Sequence, residues 1–296
     1  MRPASGTGRK NEMSVEIVRE PNMTDYEKTR KEFSLEVPEY FNFGFDVVDR
    51  WAEDRTKLAL MIADEDGDVI KKRTFYAMKR LSNKFANVLR ERGLEKGDRV
   101  LLMLHWCPQW YVAMTGMIKL GIIPIPSTTL LTPKDIRYRI RESGARGVIT
   151  DIQDAAKIEE ELENCPTLDT LILATGHRRG WIEWERAMED ASPVLNNVEK
   201  TRSDDTMLLY FTSGTVSYPK MVLHTQASYA IGHKITAEFW QDLKPTDLHW
   251  TVTDTGWAKA AWGSLFGQWT NGACVFNHAT RGKFDAKLTL RLIETA

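Results

Sequence analysis

From Pro38 onward, apolar residues recur at two alternating spacings. In VPEYFNFGFDVVDRWAED, Phe43, Val47, Val48 and Trp51 fall at helical intervals, which predicts a helix packed on one face. FYAMKRLSNKFANVLRERG repeats the pattern through Phe75, Met78, Leu81, Phe85 and Leu89, with Arg90 and Arg92 complementing the helix C-terminus and Gly93 as its stop. RVLLML then reads as a short strand, WYVAMTGMIKLG as a helix, and IIPIPST as a buried strand emerging into a polar loop. Thr132 and Pro133 supply an N-cap and a first helical position for a helix closing near Gly144. GVIT, a helix around KIEEELE, TLILAT and TMLLYF continue the alternation. Strands separated by helices at this rhythm predict an α/β fold, a largely parallel sheet flanked by helices on both faces. Residues 1 to about 36 carry no sustained periodicity and read as an N-terminal extension that wraps or dangles. No internal repeat or low-complexity linker interrupts the rest.

Composition narrows the class. The chain has 296 residues, 42% of them hydrophobic, enough for one large or two ordinary domains. Lys and Arg number 40 against 41 Asp and Glu, so at a formal net charge of -1 no global field recruits nucleic acid or an anionic membrane. Any anion must be held by a local site. Cys107, Cys165 and Cys274 are few, odd in number and far apart, which fits reduced thiols in a cytosol-like compartment, and none has metal-ligand spacing. No apolar run approaches the ~18 residues of a membrane span. The opening MRPASGTGRKNEM lacks the apolar core of a secretory signal but is weakly basic, so the expected location is cytoplasmic, with the mitochondrial matrix as the alternative.

The candidate chemistry lies in YFTSGTVSYPKMVLHT. The loop TSGTVSYPK begins where TMLLYF ends, which places it at the C-terminal edge of a parallel sheet, where ligands of open α/β sheets bind. Thr212, Ser213, Thr215 and Ser217 offer hydroxyls, Gly214 permits close backbone approach, and Lys220 adds a point charge suited to phosphate. Ser, Thr, Gly and Pro are also the ordinary residues of turns, so composition alone leaves a polar turn as the competing reading. Pro219 before the lysine and Met221 after it exclude a Walker motif, which needs glycine and then Ser or Thr there.

The order of residues in TSGTVSYPK resembles the phosphate-binding loop of the acyl-adenylate-forming, AMP-binding superfamily, usually Thr-Ser-Gly-Thr-(Thr/Ser)-Gly-x-Pro-Lys. VPEYFNF, SNKFANVL, KGDRVLLML, PSTTLLTPKDIRYRI, DTGWAKAAWGSLF and NGACVFNH resemble segments of the medium-chain acyl-CoA synthetases, in that family's order. The resemblance runs from about Pro38 to the end. It implies that a carboxylic acid is joined to the α-phosphate of ATP with release of pyrophosphate, after which the thiol of coenzyme A displaces AMP. Thr212, Ser213, Gly214, Thr215, Val216, Ser217, Tyr218, Pro219 and Lys220 would then contact the ATP phosphates, with Mg²⁺ sharing the charge. Val216 stands in place of a hydroxyl residue and Ser217 in place of glycine, departures that would weaken ATP binding.

The same resemblance sets DLHWTVTDTGWAKAAW beside the acyl and pantetheine pocket, with Trp257 against the substrate's tail, Gly256 granting access and Lys259 near the mouth. Trp250 and Trp262 read as core, and His224 is a further candidate that could equally be a structural histidine. The family's Tyr-Gly-x-Thr-Glu segment, its ribose-binding Asp and its mobile C-terminal domain have no counterpart among these residues. Residues 38–296 are therefore expected to be the N-terminal portion of an adenylation domain, a fragment inactive alone. A separate chain carrying the other half is one implied partner. A non-catalytic remnant that binds a nucleotide or a partner chain is the alternative function.

Overall fold

Each predicted run of apolar residues becomes an element whose apolar face is covered by its neighbours. The computed structural model describes residues 19–68, 70–212, 218–280 and 285–295. After α1 (Tyr26–Glu32) and a wide-turned π-helix at Phe43–Asp49 come β1 (Leu58–Ala63) and β2 (Ile70–Thr74). Then follow α2 (Phe75–Glu91), β3 (Arg99–Met103), α3 (Pro108–Lys119), β4 (Ile123–Pro126), α4 (Pro133–Ser143), β5 (Gly147–Thr150), α5 (Ala155–Glu159), β6 (Thr170–Leu173), β7 (Ile182–Glu183) and α6 (Trp184–Asp190). β8 (Thr206–Thr212) and β9 (Lys220–Thr225) lead into helical turns at Gln226–Ile231, Gly232–Ile235 and Thr236–Trp240. β10 (Leu248–Trp250), a helical stretch over 258–270, β11 (Cys274–His278) and a helix at Ala286–Thr295 complete the order.

Five strands form a wholly parallel sheet in the order β4-β3-β5-β6-β7. Because side chains alternate across a strand, one strand feeds two cores. Val100 and Leu102 pack with Ile149 and with Phe85 and Met114 of α2 and α3, whereas Leu101 and Met103 pack with Val148 and with Ile136, Ile140 and Ile158 of α4 and α5. That two-sided burial is why RVLLM and GVIT read as unbroken apolar runs. A second sheet, β10-β11-β1-β2, is parallel except for the antiparallel β1–β2 pair. β1 and β2 were not anticipated from the sequence, since LALMIA and IKKRT show no clean alternation, although the Asp66-Gly67 pair between them is a turn signal.

Local signals placed the helix ends well. The Thr74 hydroxyl accepts the Ala77 N–H to cap α2. Thr132 and Asp135 exchange bonds in a capping box, Pro133 opens α4, and Gly144 closes it at φ 61°, a conformation a side chain disfavours. The helix expected around KIEEELE is shorter than anticipated, ending at Glu159 and continuing as a 3₁₀ turn at Leu162–Asn164. Glu161 there turns toward Arg137 and Asn164, and Pro166 prevents a regular helix from continuing.

One topological expectation is overturned. β8 carries no ladder to the parallel sheet among the described residues. It pairs antiparallel with β9, from Thr206↔Thr225 to Thr212↔Lys220. The loop still follows the C-terminal end of a strand, but as the tip of a hairpin and not as a crossover. Of the N-terminal stretch, residues 19–40 lie against the domain. Arg19 pairs with Asp247 at 2.8 Å, Asn22 donates to the carbonyls of Glu238 and Leu243, and Tyr40 bridges antiparallel to Arg202.

Candidate functional site

The hairpin that carries the phosphate-type loop is held near its loop end by aromatic side chains. Ser213, Gly214, Thr215, Val216 and Ser217 lie outside the described residues, so the two departures from the family pattern fall there as well. Thr212 and Lys220 face each other as the closing register pair, and the Thr212 hydroxyl reaches the Lys220 carbonyl at 3.4 Å. Tyr138 of α4 stacks on Tyr218 at 4.8 Å with 22° between the rings, meets Phe211 edge-on at 6.0 Å, and donates its hydroxyl to the Pro219 carbonyl at 3.0 Å. The guanidinium of Arg139 lies 5.3 Å from the centre of the Phe211 ring. These contacts grip both strands of the hairpin while Lys220 stays exposed to solvent. Tyr138 was missed in the sequence because a tyrosine on an amphipathic helix carries no mark of its partner.

The second candidate segment is fixed from three sides. Thr255 is buried and donates its hydroxyl to the Leu104 carbonyl beyond β3, and the Trp106 indole N–H donates to the Thr253 carbonyl at 2.7 Å. Asp254 accepts the Gly256 N–H at 2.8 Å. At Gly256 the reason for glycine is packing. A methyl there would lie 2.0 Å from the Thr128 nitrogen and 2.6 Å from the Ser127 carbonyl carbon, both backbone atoms. Trp257 projects outward, 62% exposed, and Lys259 is exposed beside it. Trp250 packs edge-on to Phe276 at 5.0 Å, and the Trp262 indole donates to Thr236.

His224 packs against Tyr229, which connects the two segments. Its ring meets Tyr229 edge-on at 4.5 Å, and Tyr229 in turn meets His233 at 4.3 Å and donates its hydroxyl to the Ala258 carbonyl at 2.6 Å, next to Trp257 and Lys259. Burial pushes the His224 imidazolium below its usual range, and burial together with the neighbouring His224 pushes His233 down to about 4. Burial thus disfavours the charged form of both rings, and the His233 imidazole is neutral at pH 7. Among the described residues no cluster of three or more His, Cys, Asp or Glu side chains is placed to hold a metal ion.

A cleft of about 630 Å³ opens beside residues 250–255, with His105, Trp106, His278 and Leu288 in its walls. Glu65, Asp66, Asp254 and Asp285 line it as well, which makes it a poor site for a polyphosphate. His278 is already committed there, bonded to the Glu65 carbonyl at 3.0 Å and to Thr280 at 2.7 Å.

The chain belongs to the AMP-binding enzyme family, whose pattern matches residues 48–296. It is 39% identical over 265 residues to the mitochondrial acyl-coenzyme A synthetase ACSM3 of Homo sapiens, covering 87% of this chain and 45% of that protein. The mitochondrial acyl-coenzyme A synthetase ACSM5 of Mus musculus gives the same identity and the same coverage. The chain thus spans just under half the length of these relatives. In fold it is similar to a Brucella canis acyl-CoA synthetase, with a TM-score of 0.80 at 22% identity over 91% of this chain and 50% of that one. It is also similar to the anthranilate CoA ligase AuaEII in complex with anthranoyl-AMP, with a TM-score of 0.76 at 24% identity over 87% of this chain and 48% of that one. No helix among the described residues is long and apolar enough to cross a membrane.

Proposed function

We propose that this protein takes part in ATP-dependent activation of a carboxylic acid to its acyl-CoA thioester. A carboxylate oxygen attacks the α-phosphorus of ATP and pyrophosphate leaves. The sulfur of coenzyme A then attacks the acyl carbon and AMP leaves. The observation that carries the reading is the hairpin from Thr212 to Lys220, whose closing pair and aromatic clamp hold a phosphate-type loop in a chain of the AMP-binding family. On this reading the loop residues Ser213, Gly214, Thr215, Val216 and Ser217 donate to the β- and γ-phosphates, and the exposed Lys220 neutralises charge on the departing pyrophosphate. Mg²⁺ arrives with ATP as part of the substrate. Trp257, its indole face open, covers the acyl chain or the pantetheine arm, with Lys259 at the rim.

Incubating the purified protein with ATP, Mg²⁺, coenzyme A and a panel of short, medium and aromatic carboxylic acids tests this by pyrophosphate release and thioester formation. Lys220→Ala is expected to raise the apparent Kd for ATP by about 10-fold or more, the loss of one charge-assisted bond. Unchanged ATP affinity in that variant would remove the hairpin from the proposed site. A second reading is binding without turnover, in which ATP binds and no pyrophosphate appears, and Val216 and Ser217 are expected to make that binding weak. Turnover appearing only on addition of a second polypeptide would identify a partner chain. The relatives' mitochondrial names favour the matrix over the cytoplasm as the place of action, which import into isolated mitochondria tests.

A further inference from the structure

Tyr229 joins the two segments that the proposed chemistry must bring together. β9 ends at Thr225, where a reciprocal cap forms: the Thr225 hydroxyl accepts the Ser228 N–H at 3.1 Å and the Ser228 hydroxyl accepts the Thr225 N–H at 2.8 Å. That cap fixes the direction in which the helical turn leaves the hairpin, and so fixes Tyr229 relative to β9. The Tyr229 ring is buried, edge-on to His224 at 4.5 Å, His233 at 4.3 Å and Phe266 at 5.3 Å. It has one polar atom, and that atom donates to the Ala258 carbonyl at 2.6 Å. Ala258 follows Trp257 directly, while residues 253–255 are tied on their far side to Leu104 and Trp106. A shift of β9 toward or away from a bound triphosphate therefore has a stiff route to Trp257, through a capped turn, a packed ring and one hydrogen bond.

We propose that Tyr229 is a positioning residue that couples the phosphate hairpin to the Trp257 segment, so that triphosphate and carboxylate each favour the binding of the other. The inference rests on the acyl-CoA synthetase reading and assigns a regulation of binding to that same site. Coupling between two ligands is reciprocal, so either one reports it. Titrations of α,β-methylene-ATP with Mg²⁺ and of octanoate, each alone and with the other present, measure it in the unaltered protein and in Tyr229→Phe. The unaltered protein is expected to bind each ligand about 5-fold or more tightly when the other is bound. Tyr229→Phe keeps the ring contacts and lowers that factor by about 2-fold or more, toward 1, through the loss of one hydrogen bond, with the separate affinities unchanged and a single cooperative melt. Thr225→Ala, which relaxes the cap on the hairpin side, lowers the same factor and stands in if Tyr229→Phe fails to fold. Separate affinities that fall with the coupling intact, or two ligands that bind the unaltered protein independently, overturn the inference alone. Failure of the unaltered protein to bind the nucleotide analogue overturns the acyl-CoA synthetase reading and the inference with it.

Discussion

Lys119 is fully buried near the end of α3, and its environment explains how the fold tolerates it. Its ammonium donates to Asp49 at 2.6 Å and to Asn83 at 2.7 Å and lies 5.3 Å from the centre of the Phe45 ring, while its stem fills the space left by Gly44. Burial pushes its pKa from 10.5 down to about 8, against the opposing pull of Asp49, and burial pushes the Asp49 carboxyl up. Breaking such a pair leaves an uncompensated charge in the interior. Asp49→Asn is expected to cost about 3–5 kcal/mol, and the double variant with Lys119→Met to recover most of that loss, measured by urea unfolding. The pH dependence has a definite sign. Between about 8 and 10.5 the unfolded chain holds a proton on Lys119 that the folded chain has lost, so the stability of the native protein rises through that window relative to Lys119→Met. Equal slopes for the two proteins across pH 8 to 10.5 would disprove the linkage.

Among the elements, the β8–β9 hairpin depends on α4 for its shape. A two-stranded ribbon is marginal by itself, and β9 is exposed along most of its length. Tyr138 offsets that weakness by bonding to Pro219 and stacking on Tyr218. Tyr138→Phe is expected to cost about 1 kcal/mol in global stability, and Tyr138→Ala about 3 kcal/mol. Both should speed hydrogen exchange at the Met221 and Val222 amides more than at the parallel sheet, since local opening of the hairpin no longer has to break the clamp. Uniform acceleration across the chain would mean that the clamp is merely part of the core. His224 belongs to this scale too. Its ring packs edge-on against Tyr229.

Across the whole molecule, the sheet edges are managed unequally. β2 carries Lys71, Lys72 and Arg73, charges that discourage edge-to-edge pairing. β9 instead exposes Met221, Val222 and Leu223 at 45%, 36% and 56%, and Trp240 and Trp257 are exposed elsewhere on the surface. An apolar edge of this kind is expected to make the isolated chain self-associate with rising concentration. Val222→Lys should lower that association in light scattering without lowering the melting temperature. Association equal to that of the unaltered chain would exclude β9 as its cause.

The division between what was legible and what was not follows the range of the interactions. The faces of α2 and the capped ends of α4 were set by neighbours three and four residues away, and the parallel strands by short unbroken apolar runs, so the sequence by itself determined the α/β class and most elements of the five-stranded sheet. The candidate loop was legible because its hydroxyls, glycine and lysine are contiguous. Strand direction was not, because an apolar run such as TMLLYF looks the same in a parallel or an antiparallel ladder. The burial of Lys119 was equally hidden, since a lysine near a helix end ordinarily reaches solvent and its partner Asp49 stands 70 residues away. Tyr138 finds Pro219 across 81 residues and Tyr229 finds Ala258 across 29. Only the folded chain decides such pairs, because a hydroxyl or an ammonium carries its chemistry in the sequence but acquires its partner only when distant segments are packed together and water is excluded.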